Sequence, residues 1–286
     1  MIIGTMLAIG NILRLLKQSS RIKPTGELNT EGSPIVLLGR NLTRIGDAIK
    51  FRSKDNYLEE EFSDFGLEKY RFASTPGTHT VKRPIDGCDL LDEDQHRKYR
   101  RVVGRLQWIA PVRPDLCYAV KELARALSAP TLEYLFKVKH VLRYVKGPWD
   151  LCLTIRPIVF LAHNESTIDV ICECDSDWAG CQSTRTSTTG FVLFLLGAVA
   201  HFSSNTQSTP ALSSGEAELY AMGSAAAECL HVGNFLGEGR LCEGVRIYLN
   251  TDSSAAKPIA SRYGVYKKTR HIDLTYLFLQ HLLNVG

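Results

Sequence analysis

The chain has 286 residues, 44% of them hydrophobic and 22% charged, the balance of a globular protein with enough apolar material for about two domains. That composition excludes a disordered tail, a collagen-like repeat and a membrane bundle. A net charge of +4 singles out no partner by itself. The opening run, MIIGTMLAIGNILRLL, is apolar but too short to span a bilayer before Arg14, and it lacks the basic lead of a secretory signal.

How the charge is distributed says more than its sum. Residues 97–146 hold twelve Lys/Arg against three Asp/Glu, which leaves the rest of the chain net negative. A basic stretch of this length suits a polyanion, or equally a solvated helical face. The eight cysteines form no CxxC pair and show no zinc-ligand spacing, so they read as reduced thiols of an intracellular protein, mostly in its core.

In chain order, TGELNTEGSP is turn-rich, and IVLLGRNLTRIGDAIKFR predicts two strands around RIGD. DNYLEEEFSDFGLEKY predicts a short acidic helix with Leu58, Phe62 and Phe65 on one side, and STPGTHTVKRP is a link. Residues 92–146 read as three helices. The first stops near Pro111, the second carries Pro114 in its first turn and runs through RPDLCYAVKELARALS, and the third has an apolar stripe at Leu135, Val138, Val141, Leu142 and Val145. Lys137, His140, Arg143 and Lys146 lie largely off that stripe.

From residue 170 the pattern becomes α/β. VICECD is a strand, STRTSTTG a polar loop, and FVLFLLGAVAHFSS two strands around Gly197. A helix is expected from Ser213 to about Leu230, then a strand in VRIYLN, a short helix in SSAAKPIASR and a last helix over 270–283. A hairpin followed by alternating helix and strand fits a mixed sheet with helices on its faces.

Three carboxylates stand out in this half: Asp175 in CECDSDWAG, Glu218 in SSGEAELYA and Asp252 in IYLNTDSSAA. Hard cations such as Mg²⁺ take oxygen ligands, and carboxylates at strand ends and on a facing helix can supply them. Each has a competitor. Ser213-x-x-Glu216 fits a capping box, with Glu216 folding back to the N-cap amide, which leaves Glu218 for a metal. Strand alternation puts Asp175 on the face of Ile171 and Glu173, opposite Cys172 and Cys174, and at a rigid strand end; Asp177 is expected in the following loop. Asp252 before SSAA would also make a good helix N-cap.

Taken together, ECDSDWAG, TSTTGFVLFLLGAVAHFSS, ALSSGEAELYA, YLNTDSSAA and KKTRHIDLTYLFL resemble the ribonuclease H domain of copia-type LTR retrotransposon polyproteins. YRRVVGRLQWIAPVRPDLCYAVKELARALSAPTLEYLFKVKHVLRYVKG resembles the segment that joins reverse transcriptase to that domain. The resemblance implies an α/β, ribonuclease H-like mixed sheet with flanking helices over 165–286, preceded by a helical connection over 81–160 and the end of a reverse-transcriptase region over 1–80.

It also implies cleavage of RNA in RNA–DNA hybrids with two Mg²⁺ ions and four carboxylates, of which Asp175, Glu218 and Asp252 are three. Retroviral integrases share the fold but order their acids Asp, Asp, Glu. The fourth carboxylate and the final strand would follow residue 286, and the polymerase aspartates would precede residue 1. The expectations are therefore no DNA synthesis, impaired nuclease activity and an exposed edge at VRIYLN; the rival is a non-catalytic nucleic-acid-binding remnant. Expected partners are the hybrid or another nucleic acid and the rest of a polyprotein, in the cytoplasm or nucleus and with no membrane. The hybrid would be held by Lys137, His140, Arg143 and Lys146 and by Lys267, Lys268, Arg270 and His271.

Overall fold

Glycine-containing two-residue turns set the layout of the first sheet. In a computed structural model, which describes residues 31–77, 90–156, 167–261 except 182 and 183, and 277–285, with a few positions before 31, strands β1 (Ile35–Leu37), β2 (Arg40–Ile45) and β3 (Ala48–Ser53) form an antiparallel meander. Two strands were expected here. The third exists because Leu38 and Gly39 both take positive φ, 49° and 74°, the geometry of a tight hairpin turn that matches strand twist. A late strand, β4 (Leu153–Ile155), closes the order β1-β2-β3-β4.

Helices α1 (Glu59–Asp64), α2 (Glu93–Ile109), α3 (Cys117–Ala124) and α4 (Leu132–Lys146) pack with this sheet around one core. Asp92 caps α2 by accepting the Gln95 amide at 2.8 Å. The helix then buries Tyr99, Val102, Val103, Leu106 and Ile109, the spacing of a single helical face. These meet Val138, Val141, Leu142 and Val145 of α4, with Leu58 and Phe62 from around α1. α3 is shorter than its sequence pattern: Pro114–Leu116 forms a 3₁₀ turn, and α-helix begins only at Cys117.

At that junction Arg113, 3% exposed, makes a two-pronged bond to Asp115, with Nε–Oδ1 at 2.9 Å and Nη2–Oδ2 at 2.8 Å. The Tyr144 hydroxyl of α4 donates to the same Asp115 Oδ2 at 2.9 Å. One pair, buried at Arg113 and half-buried at Asp115, thus joins the 3₁₀ turn to α4.

The second sheet holds β5 (Thr167–Asp177), β6 (Thr188–Leu195), β7 (Ala198–Thr206) and β8 (Gly244–Asn250) in the order β7-β6-β5-β8. β5, β6 and β7 are antiparallel, and β8 runs parallel to β5. The expected turn at Gly197 is present, with Leu196 and Gly197 both at positive φ. Among the described residues β8 is the outermost strand on its side.

Helix α5 (Ser214–Glu238) lies across this sheet, with α6 (Ala256–Ser261) and α7 (Leu277–Val285) beside it. Leu219, Met222, Ala225, Ala226 and Cys229 of α5 are buried with Ile168, Val170, Cys172 and Cys174 of β5. Cys172 and Cys229, both 0% exposed, belong to the one core that closes this joint. Of the seven cysteines described, none is in a disulfide; three are buried and four half-buried, fewer in the core than the composition suggested.

The architecture is mixed α/β; the described residues hold two sheets, each with a large core, and no helix among them is long and apolar enough to cross a membrane.

Burial pushes the Asp115 carboxyl up, but the Arg113 guanidinium and the Tyr144 hydroxyl outweigh it and hold the group below its ordinary value. A depressed carboxylate contributes stability that is present above its unfolded pKa and lost as pH falls through its folded one. Arg113→Ala should therefore cost about 1–3 kcal/mol at neutral pH, the scale for a charge-assisted hydrogen bond lost at a half-buried carboxylate. In urea unfolding the gap between variant and wild type should narrow at pH 3.

Candidate metal centre

The acidic centre begins with the alternation of β5. Val170, Cys172 and Cys174 are buried against α5, so Ile171, Glu173 and Asp175 face outward and are exposed. β8 continues the same logic in parallel. Glu173 pairs with Asn250, and Asp175 and Asp252 each follow that rung by two residues. The Cys174 thiol donates to the Asn250 carbonyl at 3.3 Å and ties the two strand ends together.

α5 brings the third acid. Ser213 is its N-cap, accepting the Glu216 amide at 3.2 Å, and Glu218 lies in the turn that faces β5. One ligand oxygen from each of Asp175, Glu218 and Asp252 can be chosen so that all three lie within 4.8 Å of one another. Among the described residues, this is the set of His, Cys, Asp and Glu side chains arranged to hold a metal ion.

The competing acids are engaged elsewhere. Glu216 does fold back, but it accepts the Leu212 amide at 3.0 Å, one residue before the N-cap, and its other oxygen takes the Tyr220 hydroxyl. The reach to Leu212 is a correction to the expected capping box. Asp177 is also corrected: it is the last residue of β5, paired with Thr188, and not part of the loop. Its carboxylate folds over Gly180, so a Cβ there would make the Asp177 side chain turn aside. The capping role weighed for Asp252 falls to Ser253, whose hydroxyl accepts the Ala256 amide at 3.1 Å.

Glu218 is 8% exposed, and its two oxygens differ. Oε1 accepts the Ser176 hydroxyl at 2.8 Å and the Ser176 amide at 3.3 Å, whereas Oε2 is buried with no hydrogen-bond partner. Burial raises the affinity of Glu218 for a proton, the Ser176 bonds oppose this, and the charge of Asp175 adds to it, leaving the group above its ordinary value. Glu61 also has a buried oxygen without a hydrogen bond, but Arg101 stands 3.5 Å from it. Oε2 of Glu218 has no hydrogen-bond donor, and Asp175 and Asp252 bring further negative charge to the same cluster, an arrangement that a hard divalent cation would neutralise. The donor set therefore fits Mg²⁺.

Ser176 is the residue that sequence reasoning passed over. Its signal was present, since it continues the inward parity of Cys172 and Cys174 and so points toward α5.

The expected phosphate-binding residues of α4 are not gathered at this centre. Lys137 pairs with Glu133 at 2.6 Å, His140 bonds the Thr75 carbonyl at 2.9 Å, and Arg143 donates to the Arg71 carbonyl at 2.9 Å. Lys146 donates to the carbonyls of Leu67 and Glu68 at 2.9 and 2.7 Å. These contacts tie residues 67–75 to α4. Lys267, Lys268, Arg270 and His271 lie outside the described residues.

Comparison with known proteins gives the chain its relatives. It is 36% identical over 178 residues to an uncharacterized mitochondrial protein of Arabidopsis thaliana, covering 62% of this chain and 70% of that one. It is 30% identical over 279 residues to the retrovirus-related Pol polyprotein from transposon RE1 of the same plant, covering 96% of this chain and 18% of the polyprotein. The corresponding protein from transposon TNT 1-94 of Nicotiana tabacum is 25% identical over 291 residues, 99% of this chain and 21% of that one. No protein-family model and no solved structure matches. The chain is homologous to the retrovirus-related Pol polyproteins of copia-type transposons, and it spans about a fifth of the length of the polyproteins from RE1 and TNT 1-94.

If Glu218 is an ion ligand, protons and cations compete for it. Mg²⁺ affinity, followed by calorimetry, should fall as pH is lowered, starting above the ordinary glutamate range near about 4.3. Glu218→Gln should remove both the binding and its pH dependence.

Proposed function

We propose that residues 165–286 form a ribonuclease H-like unit that cleaves the RNA strand of RNA–DNA hybrids with divalent metal ions. The observation that carries this reading is the clustering of Asp175, Glu218 and Asp252, with Oε2 of Glu218 buried and without a hydrogen-bond partner. Three antiparallel strands with a fourth parallel to the first, crossed by a helix bearing the second acid, support it. The chain order Asp, Glu, Asp and the homology to transposon Pol polyproteins agree with it.

Asp175, Glu218 and Asp252 would hold the ions. Bound there, divalent ions supply an activated water and stabilise the leaving oxygen of a phosphodiester. The protein's own share is to fix the oxygens. Exposed Asp175 and Asp252 stand at adjoining strand ends, open to a substrate, while Glu218 is anchored from the helix and shielded from bulk water. The nucleic acid would reach the centre from this exposed side of the strand ends. Because its homologues are parts of Pol polyproteins, the remainder of such a polyprotein is a further proposed partner.

The test is a labelled RNA–DNA hybrid incubated with the purified chain and Mg²⁺. Cleavage of the RNA strand is expected, and Asp175→Asn should reduce it to background. Cleavage that survives this substitution overturns the assignment. Binding of hybrid without cleavage at any Mg²⁺ concentration would instead favour a nucleic-acid-binding remnant. Affinity for the hybrid should fall steeply with added salt because phosphate contacts release counterions. A flat salt dependence would reject a phosphate-contacting surface.

A further inference from the structure

We propose that Ser176 is a positioning residue of the acidic centre, holding Glu218 so that its buried Oε2 is presented to a divalent cation. The inference rests on reading Asp175, Glu218 and Asp252 as a cation site, and it assigns the device that shapes that site.

Ser176 directs two donors at one oxygen. Its hydroxyl gives its single proton to Glu218 Oε1 at 2.8 Å, and its amide reaches the same atom at 3.3 Å. The amide also donates to Asp175 Oδ1 at 2.8 Å, so one peptide unit links two of the three acids. The terminal torsion of a glutamate is broad and roughly two-fold, and an unanchored carboxylate would sample rotations that exchange its oxygens. With Oε1 held twice, that rotation is arrested and Oε2 is the oxygen left for an ion.

Its place on the strand explains why the residue is small and polar. Ser176 follows Cys172 and Cys174 on the inward face of β5, where an apolar side chain would be usual. An aliphatic residue there would leave a buried carboxylate with no hydroxyl donor. A hydroxyl supplies the donor without adding charge, so it does not compete with the cation as a lysine or arginine would. Groups that orient a metal ligand in this way commonly change metal affinity by about tenfold to a hundredfold when removed.

The experiment uses the full chain and Mn²⁺, whose binding is read by electron paramagnetic resonance without any substrate. Ser176→Ala should weaken Mn²⁺ affinity by about tenfold or more, while the thermal midpoint followed by circular dichroism stays close to wild type. Ser176→Thr, which keeps the hydroxyl, should bind nearly as well as wild type. Ser176→Val, which matches threonine in shape and suits a strand but lacks the hydroxyl, should be as weak as the alanine variant, and this pair decides the matter if Ser176→Ala folds poorly. Equal Mn²⁺ affinity in the threonine and valine variants overturns the role assigned to Ser176 while leaving the cation site in place. Absence of Mn²⁺ binding by the wild-type chain overturns the cation site itself, and this role with it.

Discussion

The two-residue alternation of β5 is the constraint on which the second half of the molecule depends. One parity builds the core against α5, and the other lays Glu173 and Asp175 on the open face. Because β8 is parallel and in register at Glu173 and Asn250, the acids two residues beyond that rung, Asp175 still within β5 and Asp252 just past β8, emerge side by side. A slip of one residue in either strand would turn its carboxylate away and push polar side chains into the core. Packing and site geometry are thus one requirement, met by the same ladder of hydrogen bonds.

The two cores handle buried charge in opposite ways. In the first, Arg113 and Asp115 satisfy each other and Tyr144 completes the set, so the pair is closed and structural. In the second, Glu218 is buried beside another acid and left one bond short. An unpaired buried carboxylate opposes folding, and chains retain such features where a ligand completes them. The contrast between the two networks is the physical basis for reading one as scaffold and the other as a site.

Much of this was legible in the sequence. The apolar stripes of α2 and α4, the turn at Gly197 and the three acids all follow from periodicity and motif. Other features were hidden by competing local signals. β5 runs through Asp177 although Asp and Ser are poor strand formers, because pairing to β6 carries it on. α5 continues to Glu238 past Gly233 and Gly237, residues that argue for an earlier stop, and Gly233 packs against Val245. The basic face of α4 carries contacts that a count of charges does not reveal. Lys137, Arg143 and Lys146 hold carbonyls and a carboxylate of their own chain.

The thiol pair at the joint of β5 and α5 has a consequence for how the centre can be watched. Cys172 and Cys229 are sealed from solvent, so a thiol-reactive label can reach them only when helix and strand separate. Glu218 rides on that helix and Asp175 on that strand, which means the same separation pulls the acids apart. The labelling rate of these two sulfurs therefore clocks how often the acidic centre comes undone, in a molecule with neither metal nor nucleic acid bound.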